Sequence, residues 1–331
     1  MGMPRLRPIF VTTLALATAS ALVACGSDDD STTSVAEGDG AFPVTVEHAY
    51  GSTTIAAAPE RVVTIGFNDL DFVLALGSTP VATREFTGYD YRQRPWADRY
   101  PEAAQLPEVG GMELDFEKLA EAAPDLLVGT YSLLEEDDYE TVSSIAPTVG
   151  ELRGSGGGPA SWEDQLTTIG RSLGKSNEAQ QLLESVRADF ADATAANPQF
   201  AGRTAAVAMV LDGGFYILEA DDPRNRFFTD LGFVTPAEVG AVGPERLDLL
   251  DQQNLIVLGA TKEQLTADPL FAALDVVKND RTVYLGEFGT DAPAALGFAS
   301  PLSLPYLLDV TVPALAAATD EDPATVVPAI G

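Results

Sequence analysis

From residue 44 to residue 130 the apolar positions switch between a two-residue and a helical period. Residues 44–48 (VTVEH) alternate apolar with polar and are followed by Tyr50-Gly51, which predicts a hairpin. Residues 61–66 (RVVTIG) form a short apolar run, residues 70–76 continue at helical spacing as far as Gly77, and residues 80–83 are strand-like again. The order returns with a helix at 119–123 and a strand at 125–130 (DLLVGT). Strand, helix and strand in succession predict a parallel sheet flanked by helices. A second series begins later, with strand-like runs at 204–211, 255–258 and 282–285 and a helical turn at 227–231 before Gly232.

Between the two series lies one long amphipathic segment, residues 176–197. Ala179, Leu182, Leu183, Val186 and Phe190 fall on one side, and Glu178, Glu184, Arg187, Asp189 and Asp192 on the other. Ser176 is the expected N-cap and Asn197-Pro198 the stop. Such a helix spans about 33 Å, the width of a small domain. The expected fold is therefore α/β, with two lobes of mostly parallel sheet joined by one long inter-lobe helix. The boundaries are a lobe at 43–175, a connecting helix at 176–197 and a lobe at 198–331.

The amino terminus changes the picture of where this chain works. Arg5 and Arg7 precede an apolar run over residues 9–23, too short for a comfortable membrane span, and small residues follow. Residues 1–24 read as a secretory signal. The chain's one cysteine, Cys25, stands at the expected cut in a segment that resembles a lipobox, and the resemblance implies a diacylglycerol on its thiol. Residues 25–42 then form a small, acidic tether, in which Asp28, Asp29 and Asp30 lack the ligand spacing of a calcium loop. The expected location is extracytoplasmic, with the membrane touched through the lipid alone.

Charge and composition narrow the partners. The chain carries a net charge of −31, and loss of the signal with its two arginines leaves −33. Nucleic acid is excluded as a partner, because phosphate contacts need a basic face. The single histidine, His48, sits in the first strand as an expected surface residue, without the partners of a hydrolytic triad or a zinc site. No enzyme chemistry, cofactor or bound metal is expected, and a monomer is the expected state. An internal echo is also present: Val109-Gly110 precedes Glu117 and the run 126–128, as Val239-Gly240 precedes Glu245 and the run 255–257. Each half thus offers a glutamate at the start of a helix ahead of a strand.

The order of Pro59-Glu60-Arg61-Val62-Val63, Leu70-Asp71, Ala75-Leu76-Gly77, Pro80-Val81, Ala123-Pro124-Asp125-Leu126-Leu127-Val128, Ile145-Ala146-Pro147, Trp162, Leu173-Gly174-Lys175, Leu302-Ser303 and Tyr306 resembles the helical-backbone substrate-binding proteins of ABC importers for ferric siderophores. That family includes ferrichrome-, enterobactin- and vitamin B12-binding proteins. The resemblance implies a ligand held between the lobes and delivery to ABC permease subunits, with Glu117 and Glu245 as the permease-docking pair. A haem or cobalamin carrier, or an envelope interaction protein without transport, is the alternative.

Anionic ferric complexes call for arginines, whose planar forks meet oxygen ligands in pairs. Arg84, Arg92, Arg94 and Arg99 follow the 80–83 strand, interleaved with Tyr89, Tyr91 and Trp96. In open α/β sheets ligands bind beyond the carboxyl ends of strands. By that rule the candidate ligand-binding residues are Arg84, Tyr91, Arg92, Arg94, Trp96, Tyr131, Arg153 and Trp162 in the first half. In the second they are Tyr216, Arg224, Arg226 and Phe288.

Overall fold

The computed structural model describes residues 40–330 except 87–90, 155–157, 159, 212–213 and 323–324; of Tyr91 it describes the backbone alone. The signal segment, Cys25, the tether up to residue 39 and Tyr89 lie outside the described residues.

The chain opens on an antiparallel hairpin of β1 (Val44–His48) and β2 (Gly51–Ile55), paired Val44 to Ile55. Its alternation buries Val44, Val46 and Ile55 and turns Thr45 and Glu47 to solvent. Strand β3 (Val62–Thr64) leads through α1 (Asp69–Ala75) to β4 (Ala82–Thr83), and α2 (Phe116–Glu121) leads to β5 (Leu126–Val128). Helix α3 (Glu136–Ile145) then precedes β6 (Thr148–Val149). These strands pair in parallel in the order β4-β3-β5-β6, and every residue in them is buried. Full burial explains the unbroken apolar runs, since helices cover both faces. Val62, Leu126 and Val128 face one cluster with Phe72, Leu166 and Ile169, while Val63 and Leu127 face another with Leu119 and Val142.

Helix α4 (Trp162–Ser172) is followed by the long α5 (Ser176–Ala196). Ser176 is its first helical residue; the cap position is Lys175, which has no side-chain acceptor to offer. Ala179 and Leu183 near the start of α5 belong to the first sheet's cluster, whereas Val186 and Phe190 belong to the large cluster that holds Val207, Ile256 and Val283 together with Phe67 and Leu70. One helix of 21 residues thus enters both cores.

The second sheet gathers β7 (Ala205–Leu211), β8 (Gly214–Ile217), β9 (Gly240–Val242), β10 (Asn254–Leu258) and β11 (Thr282–Gly286) in the order β11-β10-β7-β8-β9. The ladders of β10 with β7 and β11 are parallel; those of β8 with β7 and β9 are antiparallel. The two antiparallel strands β8 and β9, absent from the periodic reading, are added at one edge of a parallel centre. Between and after them run α6 (Pro223–Asp230), α7 (Lys262–Thr266), α8 (Pro269–Ala272), α9 (Asp275–Lys278), α10 (Asp291–Gly297) and α11 (Ser303–Thr319). Helix α11 is apolar on most sides and packs into the large cluster beside Phe190, Val283 and Leu285. Among the described residues no helix is long and apolar enough to cross a membrane.

Candidate ligand-binding site

The loops at the carboxyl ends of the two sheets meet along a seam. Phe67 comes three residues after β3, Phe86 three after β4 and Tyr131 three after β5. From the other lobe Phe298, just beyond α10, joins them: its ring lies 6.4 Å from Phe67, 5.5 Å from Phe86 and 6.1 Å from Tyr131. Phe67 and Phe86 are edge-on at 4.9 Å, a favourable geometry for aromatic rings. None of Phe67, Phe86 and Phe298 is singled out by motif. The strand-end rule extended from arginine and tyrosine to phenylalanine finds Phe67 and Phe86, while Phe298, which follows a helix, carries no such signal.

Polar ties run beside the rings. Asp71 on α1 is buried and accepts a hydrogen bond from Ser300 Oγ at 2.6 Å, across 229 residues of sequence. Burial pushes its carboxyl up to about 7, against the hydrogen bonds from Ser300 and Trp96 that favour the charged form. Its neighbour Asp69 is likewise raised to about 7 by burial, although Thr130 donates to it from both hydroxyl and amide. Arg94 reaches Asp291 at 2.7 Å and the Gly289 carbonyl at 2.6 Å, so the loop after β4 is fastened to the loop after β11.

The candidate arginines are brought toward the seam but arrive with partners. Arg84 is 6% exposed, its guanidinium 4.3 Å from the Phe67 ring centre. Its Nε donates to the Gly111 carbonyl, Nη1 to those of Ile65 and Ser132, and Nη2 to that of Met112. Burial lowers its pKa, yet arginine remains a cation at neutral pH. Arg92 is held by Glu85 at 2.7 Å and by Glu108. Arg224 is clasped by Asp222 at 2.6 and 2.9 Å, which keeps the arginine above its ordinary pKa. Burial acts to raise Asp222, and the contacts from Arg224 overcome it and hold the carboxyl low. In this arrangement Arg92, Arg94 and Arg224 are matched by carboxylates and Arg84 by carbonyls.

The remaining candidates divide. Tyr131 lies in the seam, its hydroxyl raised chiefly by burial. Tyr216 on β8 donates to Glu219 at 2.6 Å. Phe288, two residues beyond β11, is half exposed and its ring packs over Gly259. Trp96 is buried in the large cluster, 5.3 Å from the Tyr306 ring, and serves as core. Arg153 lines a cavity of about 850 Å³ with Tyr50, Leu133, Glu135, Glu136 and Glu151 beyond β5 and β6. Trp162 and Arg226 line a separate cavity of about 590 Å³ along α5, where Arg226 pairs with Glu163 at 2.7 Å. Tyr91 opens a short 3-10 turn, and its side chain lies outside the described residues.

Two further expectations meet the structure here. His48 is not a free surface residue: it is half-buried, 5.2 Å from the Tyr139 ring and bonded to Thr53, with its pKa lowered by burial. Glu117 and Glu245 are both exposed in the first turn of a short helix that precedes a strand. Helix α2 is capped by Asp115, whose side chain accepts from the Lys118 amide, so Glu117 is not needed as its cap.

Two α/β lobes, a single helix entering both cores and a ring-lined seam at the strand ends define a bilobal solute-binding protein. Residues 62–287 match the family model described as periplasmic binding protein, and the chain belongs to that family. A periplasmic solute binding protein from Mycobacterium smegmatis, solved by crystallography, is 33% identical, with a TM-score of 0.74 over 83% of this chain and 98% of that one. PiaA of Streptococcus pneumoniae, solved in complex with ferrichrome, is 25% identical, with a TM-score of 0.69 over 84% and 99%. The Fe(3+)-citrate-binding protein YfmC of Bacillus subtilis is 25% identical over 239 residues, 69% of this chain and 74% of that protein.

Proposed function

We propose that this protein captures a ferric siderophore outside the cytoplasmic membrane and delivers it to an ABC permease for iron import. The observation that carries this reading is the seam itself: the rings that follow β3, β4 and β5 meet Phe298 of the other lobe at the carboxyl ends of the first sheet, where α/β folds take ligands. Family membership and relatives named for ferric citrate and ferrichrome support it. Binding here means enclosure without turnover. Phe67, Phe86, Tyr131 and Phe298 form the floor, Arg84 is the buried cation against Phe67, and Tyr216, Arg224 and Phe288 are the second lobe's contribution. Arg92 and Arg94 shape the loop after β4. Glu117 and Glu245, exposed at matching places in the two lobes, are the docking points for the permease. Cys25 carries the lipid that keeps a monomeric carrier at the membrane.

Deletion of the gene tests the reading. Growth on a ferric siderophore as sole iron source is expected to fail and to return with the intact gene. Unimpaired uptake by the deletion strain contradicts it.

A further inference from the structure

We propose that the seam selects a ferric complex of low net charge with an apolar outer surface, the tris-hydroxamate type, over polyanionic complexes of the tris-catecholate type. The inference rests on the siderophore reading above and deepens it.

The first argument is an account of cations. A ligand-binding guanidinium needs free N–H groups, and arginine has five. Arg84 commits four of them to the carbonyls of Gly111, Ile65, Ser132 and Met112, so at most one is left. One N–H cannot make the two-pronged contact by which arginine grips a carboxylate or catecholate. Arg92 is bound between Glu85 and Glu108, Arg94 is bound to Asp291, and Arg224 to Asp222. Arg153 shares its cavity with three carboxylates, those of Glu135, Glu136 and Glu151. Arg84, Arg92, Arg94 and Arg224 therefore offer a complexed anion no free two-pronged fork, and around these five arginines the carboxylates named here outnumber the cations.

The second argument is the surface that remains. Of the large apolar side chains left exposed, Leu133 follows β5, Leu211 ends β7 and Phe288 follows β11, all at strand carboxyl ends, and Met112 lies on the loop that holds Arg84. Exposed apolar groups of this size are candidates for contact with a ligand. Together with the ring floor they suit a ligand that presents hydrocarbon and hides its charge.

Chemistry then separates the classes. Each hydroxamate brings one negative charge, so three of them neutralise ferric iron, whereas three catecholates leave a trianion. Enclosing a trianion where carboxylates outnumber cations forfeits its hydration with little in return. The net charge, −31 for the full chain and −33 without the signal's two arginines, adds long-range repulsion.

The test titrates the mature chain with ferrichrome, a neutral tris-hydroxamate, and with ferric enterobactin, a tris-catecholate, following tryptophan quenching at about 0.05 M and about 0.5 M NaCl. Ferrichrome is expected to bind at least about tenfold more tightly, with a Kd that moves less than about twofold over that salt range. Phe288→Ser is expected to weaken ferrichrome by about fivefold or more while leaving the thermal midpoint in place, since the side chain is half exposed. Catecholate binding that equals or exceeds hydroxamate binding, or a hydroxamate Kd that weakens about tenfold with salt, overturns the inference and leaves the siderophore reading standing. If no ferric complex binds, the siderophore reading falls and this one with it.

Discussion

At the scale of single residues, the floor of the first lobe depends on a glycine. A methyl group added at Gly66 would lie 2.1 Å from Asp69 Oδ2 and 2.9 Å from the Tyr131 carbonyl. Asp69 cannot swing aside, because it is buried and bonded to Thr130. Gly66→Ala is therefore expected to cost about 1–3 kcal/mol in urea unfolding, the range for overpacking a close-packed interior. Gly297, near the end of α10, has open space where a methyl would go. There alanine is expected to add up to about 1 kcal/mol by restricting the unfolded chain. Equal effects at the two sites would contradict this account of the packing. The candidate arginines teach a related lesson: their positions follow from sequence, but their partners do not. Asp291, which holds Arg94, is 197 residues away, and Glu163, which holds Arg226, is 63 residues away. In a chain this acidic, a loop arginine is more safely read as a cation already spoken for.

At the scale of elements, the all-buried strands of the first sheet and the 3.6-residue stripe of α5 are legible because each must bury apolar residues at a fixed period. Strands β8 and β9 are not legible, being short and largely half-exposed, so their side chains carry little alternation. Helix α11 escapes for another reason: Pro305 near its start and Pro313 within it contradict helical propensity, and burial against the large cluster overrides them. The tie from α1 to the loop before α11 is the hydrogen bond between Asp71 and Ser300. Asp71 has its carboxyl raised from 3.8 to about 7. The folded chain thus holds this proton more tightly than the unfolded chain. Its contribution to stability is full below the ordinary carboxyl range and is lost as pH rises through about 7. Asp71→Asn, which keeps a neutral partner for Ser300, is expected to flatten that loss between about pH 5 and about pH 8 in urea midpoints. A variant that loses as much stability as the parent would show that the acid is ionised in the fold at both pH values.

At the scale of the whole molecule, the helix shared by both cores sets how far the lobes can move. Ala179 and Leu183 are fixed in one cluster and Val186 and Phe190 in the next, so α5 cannot hinge without opening a core. Closure on a ligand is therefore expected to be small, a rocking at the seam. Recognition by a permease should then read surface features present in both states. Replacing Glu117 and Glu245 together by alanine is expected to abolish import while ligand affinity and unfolding midpoint stay unchanged. A loss of affinity in that variant would move both residues into the ligand site. The matched placing of these glutamates is visible as an echo in the sequence, whereas the meeting of Phe298 with Phe67 joins residues far apart in the chain and emerges only from the fold.

The central claim is that this seam receives iron inside its chelator. Calorimetric titration of the mature chain with a panel of ferric siderophores, their iron-free forms, haemin and cyanocobalamin tests it most directly. The account predicts one bound molecule per chain for the ferric form of at least one siderophore, with a Kd of about 1 μM or tighter, and no saturable binding of haemin or cyanocobalamin. Binding of haemin or cyanocobalamin alone, or of no ferric complex at all, would contradict it.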